Sequence, residues 1–198
     1  PLPFELTDLD QKILSQTDEE YQPLSWDEVK RIAAENRLEL FTRTPSQLRR
    51  YLTWSRRIRI EYGGMLNYIC TERLQWDIAD GGVACVNPVP FADERDYTIR
   101  LNDWPYGVSP EIRHLLVWLK TPLAVDLEGK LTRESWDSID HFVRRTFRVK
   151  LEADGHELPA SERVLWFKNW TALQSVRALE HFHVMVRGVT DELIKEWT

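Results

Sequence analysis

His181 and His183 flank Phe182 inside the segment Gln174-Ser175-Val176-Arg177-Ala178-Leu179-Glu180-His181-Phe182-His183-Val184-Met185-Val186, and they are two of only five histidines in the chain. Side chains alternate along a β-strand, so both imidazoles face one way while Phe182 and Val184 face the other. An imidazole so presented can attack phosphorus and carry the group as a covalent intermediate. The neighbours suit that chemistry: Gln174 and Ser175 lie just upstream, Lys168 and Asn169 precede them, and a third histidine, His114, sits in the apolar run Ile112 to Leu119. The same three imidazoles could instead hold a metal ion with one position open to water. Spacing alone does not choose between the two.

The elements that must position these groups change character along the chain. Ser25-Trp26-Asp27-Glu28 is a capping box opening a helix to about residue 37. Thr44-Pro45 is an N-cap followed by proline at the first helical position, and Leu48, Tyr51, Leu52, Ser55, Ile58 and Tyr62 then recur at helical spacing until Gly63-Gly64. A further helix is expected over 65–76 and a loop over 79–90. Beyond it, Tyr97 to Leu101 and Ile112 to Leu119 read as strands around the turn-rich Asn102-Asp103-Trp104-Pro105-Tyr106-Gly107. A helix opens at Thr132 with Ile139, Phe142, Val143 and Phe147 on one face, and 148–161 reads as partly loop. Val164 to Phe167 and Leu179 to Val186 are strands, and a helix capped by Thr190 closes the chain. The pattern predicts an α+β fold, an antiparallel sheet covered by helices. Residues 1–90 form a helical N-terminal extension packed on a core of residues 91–198.

Composition narrows the function classes. A chain of 198 residues with net charge −6 can bury a sizeable core and is a poor general partner for nucleic acid or membrane. It contains no apolar run long enough to span a bilayer, and its start lacks the basic head and apolar centre of a secretory signal. Cys70 and Cys85 have no metal-ligand spacing, which fits a reducing compartment, cytoplasm or nucleus. Phosphate-loop, dinucleotide and nucleophile-elbow motifs are missing. Arg49, Arg50, Arg56 and Arg57 share a helix face, read as solvated, with a polyphosphate or RNA contact as the alternative.

Asn102-Asp103-Trp104-Pro105-Tyr106, then His114 to Lys120, a helix, Asn169, Gln174-Ser175 and His181-Phe182-His183-Val184 together resemble the layout of the histidine-triad superfamily, over residues 97–187. More narrowly, Asn102 to Gly107 and Trp166-Phe167-Lys168-Asn169-Trp170 through His183 resemble the fungal N-acetylglucosamine-induced protein family over nearly the whole chain. The superfamily resemblance implies a histidine-triad-like sheet and an intracellular hydrolase or transferase acting on a nucleotide or nucleotide sugar. It places the nucleophile on His181 and the third signature histidine on His183. It also implies phosphate contacts from Asn169, Gln174 and Ser175, charge from Lys168, a supporting role for His114, and a position near a ribose for Asp103. No cofactor is implied, and the expected partner is a small phosphate-containing molecule.

Three features depart from the triad pattern: Leu179 replaces the first signature histidine, Glu180 precedes the nucleophile, and one extra residue separates Ser175 from the pair. The extra residue suggests a bulge that could turn Glu180 towards the site, where it would repel phosphate. The departures keep open a non-catalytic module that binds a nucleotide or phospho-sugar, alongside the metal-dependent hydrolase using His114, His181 and His183.

Overall fold

The computed structural model describes residues 6–79, 82–169, 174, 176 and 179–198. Its frame is a four-stranded antiparallel sheet in which β3 (Tyr97–Leu101), β4 (Ile112–Leu119), β6 (Glu180–Arg187) and β5 (Val164–Phe167) lie side by side in that order. A two-residue pairing of β1 (Ile78–Ala79) with β2 (Gly82–Val83) lies apart from it. The central strands β4 and β6 are the longest and are nearly continuous apolar runs, because both faces of the sheet are covered.

One face carries Ile99, Leu115, Val117, Phe182 and Val184, packed against the C-terminal helices. These begin with α5 (Arg133–Val143), whose N-cap Thr132 accepts from the Ser135 amide. The helix does not stop where the polar sequence after Arg148 suggests. It widens by one residue per turn over Arg144–Arg148 and continues as α6 (Val149–Ala153), because Phe147 and Leu151 stay on the buried stripe. The closing helix α7 (Asp191–Trp197) adds Ile194 and Trp197.

The other face is covered by the N-terminal helices. Trp26, Val29 and Ile32 of α2 (Trp26–Ala34), capped by Ser25 as expected, pack with Phe41 on Ile112, Phe167 and Met185. Ile58 of α3 (Pro45–Tyr62), Met65 of α4 (Met65–Tyr68), and Ile69, Cys70 and Leu74 in the wide turn that follows pack on Trp118 and Leu179. Gly63 ends α3 at φ 69°, a left-handed conformation that favours glycine. A further helix, α1 (Asp8–Leu14), was not expected; it is short and Thr7 caps it in a capping box with Asp10.

The loop between β3 and β4 is clamped by this N-terminal layer. Gly107 N donates to Thr42 O at 2.8 Å, Leu24 N donates to Gly107 O at 2.9 Å, and Ser109 N donates to Leu24 O at 2.9 Å. Gly107 is required there because a Cβ would collide with the Tyr21 ring.

Register decides which side chains meet. Across β4 and β6, His114 lies opposite Met185, Leu116 opposite His183, and Trp118 opposite His181, while Phe167 of β5 lies opposite His183. All eight residues of β6 pair in unbroken register with β4, so the bulge anticipated before His181 does not form within the strand. Glu180 therefore points away from His181, and its Oε2 lies 3.2 Å from Lys168 Nζ in an ion pair without hydrogen-bond geometry.

Candidate functional site

His114, Trp118, His181 and His183 share the sheet face beneath α3 and α4, where the two apolar clusters of that face leave a cavity of about 130 Å³ between them. That exceeds the roughly 30 Å³ share of one water several times over, so the cavity can admit a small chemical group. His181, His183 and Asn169 reach its wall from the sheet side, and Arg43, Tyr51, Trp54 and Ile69 from the helical side. Arg43 carries no signal in the sequence; Tyr51 and Trp54 interleave the arginine run for which a polyphosphate or RNA contact is the alternative, but only tertiary packing sets α3 over the strands.

The hydrogen bonds assign a proton position to each imidazole. Tyr106 N donates to His114 Nδ1 at 3.3 Å, and Asn102, whose Oδ1 is held by Trp104 N at 2.9 Å, presents its Nδ2 to the same atom at 3.3 Å. Asn102 Nδ2 is equally 3.3 Å from His114 Nε2 and does not discriminate, so the Tyr106 N–H decides: His114 Nδ1 carries a lone pair, and the proton of the neutral ring is on Nε2. Nε2–H then donates to His183 Nδ1 at 2.8 Å, which places the His183 proton on Nε2. The group facing that proton is the Asn169 amide. Its Nδ2 lies 3.2 Å from His183 Nε2 and 3.2 Å from the Tyr106 hydroxyl, while Oδ1 is buried with no partner. Two N–H groups cannot satisfy each other, so the consistent arrangement turns the amide over. Oδ1 then accepts from His183 and Tyr106, and the NH2 takes the buried position that has no partner among the described residues.

His181 is arranged differently. Its Nδ1–H donates to Leu179 O at 2.9 Å, which leaves Nε2 with a free lone pair, and its ring packs on Trp118 with centroids 4.6 Å apart. Burial keeps all three rings neutral. It lowers the pKa of His181 to about 4, with the Leu179 bond opposing and Lys168 adding to the shift, and that of His114 to about 3, helped by the Arg43 charge. His183 is pushed well below the ordinary value by burial first and then by its neighbours His114 and His181. Phe167 stacks on His183 at an interplanar angle of 5°, fixing the ring that the relay orients.

This accounting overturns the three-histidine metal site. His114 Nδ1 accepts from Tyr106 N–H and His183 Nδ1 from His114 Nε2–H, so among the described residues His181 Nε2 is the one imidazole nitrogen of the three without a partner, and no group of three or more His, Cys, Asp or Glu side chains that could hold a metal occurs among them. Nor is there a complete histidine triad: Leu179 is a buried apolar residue whose backbone, not its side chain, serves His181.

The other expected residues divide. Asp103 lies on the cavity wall, ion-paired with Arg73 at 2.6 Å. Lys168 is turned away to Glu180, and Gln174 is not on the wall: its Nε2 donates to Asn169 O at 2.7 Å and braces that residue from behind. Ser175 and Trp170 lie outside the described residues. Tyr106 and Asn102, which hold His114, fell within the quoted motif Asn102 to Gly107 but had been given no role.

Comparison with known proteins agrees with this architecture. The chain is 25% identical over 190 residues to N-acetylglucosamine-induced protein 1 of Candida albicans, covering 88% of this chain and 72% of that protein. It is 27% identical over 180 residues to the uncharacterized protein YPL067C of Saccharomyces cerevisiae, covering 90% and 86%. The structure superposes on the crystal structure of HTC1 with a TM-score of 0.68 and 25% identity, covering 87% of this chain and 92% of that one. The shared α+β architecture, an antiparallel sheet flanked by helices, is the one the triad resemblance implies. Residues 25–187 match the family described as "Protein of unknown function (DUF3605)", and the chain belongs to that family.

Proposed function

We propose that the protein binds a nucleotide or phospho-sugar in the histidine cavity and transfers its phosphoryl-containing group through His181. The observation that carries this reading is the free lone pair on His181 Nε2 at a buried cavity wall, with the opposite nitrogen anchored to Leu179 O. In the reaction Nε2 attacks phosphorus, the N–P bond forms, and the P–O bond to the leaving group breaks with its electron pair on the departing oxygen. The ring becomes cationic, and the Nδ1–H bond to the Leu179 carbonyl strengthens as it does so. Water, or an acceptor hydroxyl, then attacks phosphorus, the N–P bond breaks with its electron pair returning to Nε2, and the attacking oxygen's proton passes to the departed anionic oxygen or to solvent water. The Arg43 guanidinium on the cavity wall is suited to stabilise charge on the phosphoryl oxygens.

The name of the Candida relative refers to induction by N-acetylglucosamine, which makes a nucleotide sugar carrying that group a reasonable first probe. Incubation with phosphorus-labelled nucleotides and nucleotide sugars should give an acid-labile protein adduct that His181→Asn abolishes. An adduct that survives this substitution would refute the role of His181.

Leu179 at the first signature position favours a second reading, a binding module without turnover. Ligands would then raise the melting temperature by mass action and no labelled protein or product would form.

A further inference from the structure

A second cavity, of about 350 Å³, opens outside the first and shares four wall residues with it: Trp54, Arg73, Asp103 and Trp104. Its remaining wall is Gln47, Arg50 and Tyr68. Gln47, Arg50 and Trp54 stand at i, i+3 and i+7 on α3 and so project from one helix face. Arg50 thus differs from its neighbours in the arginine run: Arg49 donates to Leu14 O at 2.8 Å and Arg57 pairs with Glu61, whereas Arg50 faces the chamber.

The charge of these walls runs against that of the molecule. Four arginines, Arg43, Arg50, Arg73 and Arg100, line the two chambers with a single carboxylate, Asp103, in a chain of net charge −6. Cations gathered in a concave site focus their field and attract an anion. The two imidazoles on the inner wall, His181 and His183, are neutral and its one carboxylate is held by Arg73, so among the described residues the wall presents no cationic imidazole or carboxylic acid to a departing oxygen. A leaving group that stays anionic, and finds guanidinium partners outside, fits such a wall.

We propose that Gln47, Arg50 and Arg73 form a second anion subsite, so that the ligand whose phosphorus lies at His181 carries a further negatively charged group, phosphate or carboxylate, seated in the outer chamber beside the packed pair Trp54 and Trp104. The subsite rests on the reading of the inner cavity given above. Arg73 lies on both walls and exchanges its Asp103 partner for the ligand, while Arg50 contributes a charge not engaged in any ion pair among the described residues. The substrate class is then a compound with two separated anionic groups, not a simple monoester.

Calorimetric titration of the full chain with matched probes tests this: glucose 1-phosphate against glucose 1,6-bisphosphate, and adenosine 5′-monophosphate against adenosine 3′,5′-bisphosphate. Each bisphosphate is expected to bind about tenfold tighter than its monophosphate, the worth of one charge-assisted hydrogen bond. Arg50→Gln should remove that advantage and leave monophosphate binding intact, and its exposed position makes misfolding an unlikely confounder, checked by an unchanged melting temperature. Equal affinity of the paired probes, or a bisphosphate advantage that persists in Arg50→Gln, would overturn the subsite. If monophosphates still bind and lose affinity in His181→Asn, the inner-cavity reading survives that failure. If neither probe of either pair binds, both fall together.

Discussion

The two faces of the sheet come from the same strands by simple alternation, yet they solve opposite problems. On the face toward α5 to α7, Leu115, Val117, Phe182 and Val184 are wholly buried among apolar neighbours, and the contribution is burial of area. On the face toward α2 to α4, the next residue in each case is His114, Leu116, Trp118, His181 or His183, and the packing is interrupted by imidazoles, arginines and a cavity. Buried imidazoles add little stability of their own. They are tolerated because each ring nitrogen has a partner, except the one that faces the cavity. One face is therefore continuous apolar core, and on the other the apolar clusters are parted by imidazoles, arginines and a cavity.

Acid should expose the difference most strongly. The three rings are neutral when folded, with pKa depressed to about 4 for His181, about 3 for His114 and well below the usual value for His183, whereas each titrates near 6.5 once unfolded. Between those values the unfolded chain binds protons the folded one does not, so stability falls as pH drops below about 6.5, by about 1.4 kcal/mol per pH unit for each ring within its window. Carboxylates contribute lower down; the Asp93 pKa, lowered to about 2 chiefly by its hydrogen bonds from Arg95, makes its stabilisation disappear only below the ordinary value of 3.8. Urea denaturation at pH 7.5, 6 and 5 should show the steep fall, and His181→Asn should make it shallower by one proton. A flat profile from pH 6.5 to 5 would mean that the rings are not buried in neutral form.

Truncation on the opposite face comes next. Phe182→Ala removes a fully buried ring that contacts Phe91, Phe142 and Trp166, at an expected cost of about 3–5 kcal/mol. That loss should not vary between pH 7.5 and 6, because the ring's neighbours Phe91, Phe142 and Trp166 carry no titratable group. A loss that did vary would show that the two faces are coupled through β6.

How far the sequence could be read follows the same division. The helix face was legible because its signal is periodic and local: Ile139, Phe142, Val143 and Phe147 recur at helical spacing, and Phe182 and Val184 alternate with the histidines. Even the error there, ending the helix near Arg148, came from weighing polar residues above Leu151 on the same stripe. On the site face only part could be found. The placement of Lys168 was available from parity, since Phe167 and Asn169 share a side and the residue between them takes the other. Glu180 was placed correctly by the same alternation. Arg43 carries no signal, and although the arginine run containing Arg50, with Tyr51 and Trp54 between its members, offers a polyphosphate contact as an alternative, nothing in the sequence places it over His181, because their separation along the chain gives no hint that α3 crosses the strands. The Tyr106 N–H bond to His114 depends on a turn whose shape is fixed by Thr42 and Leu24, residues of the N-terminal layer.

The smallest predicted effect tests the finest feature, the direction of the relay. Ring-nitrogen chemical shifts should identify His114 and His183 as neutral Nε2–H tautomers and His181 as neutral Nδ1–H. Tyr106→Phe keeps the backbone N–H that sets His114 and removes only the hydroxyl near Asn169, so all three tautomers should persist while stability drops by about 1 kcal/mol, the value of one ordinary hydrogen bond. If His183 instead appears as Nδ1–H, the direction of the relay is reversed and His114 Nδ1 cannot be the acceptor the turn implies. The Asn169 amide would then need no turning, because its Nδ2–H would donate to the His183 Nε2 lone pair at 3.2 Å, and its Oδ1 would be the buried atom without a partner among the described residues.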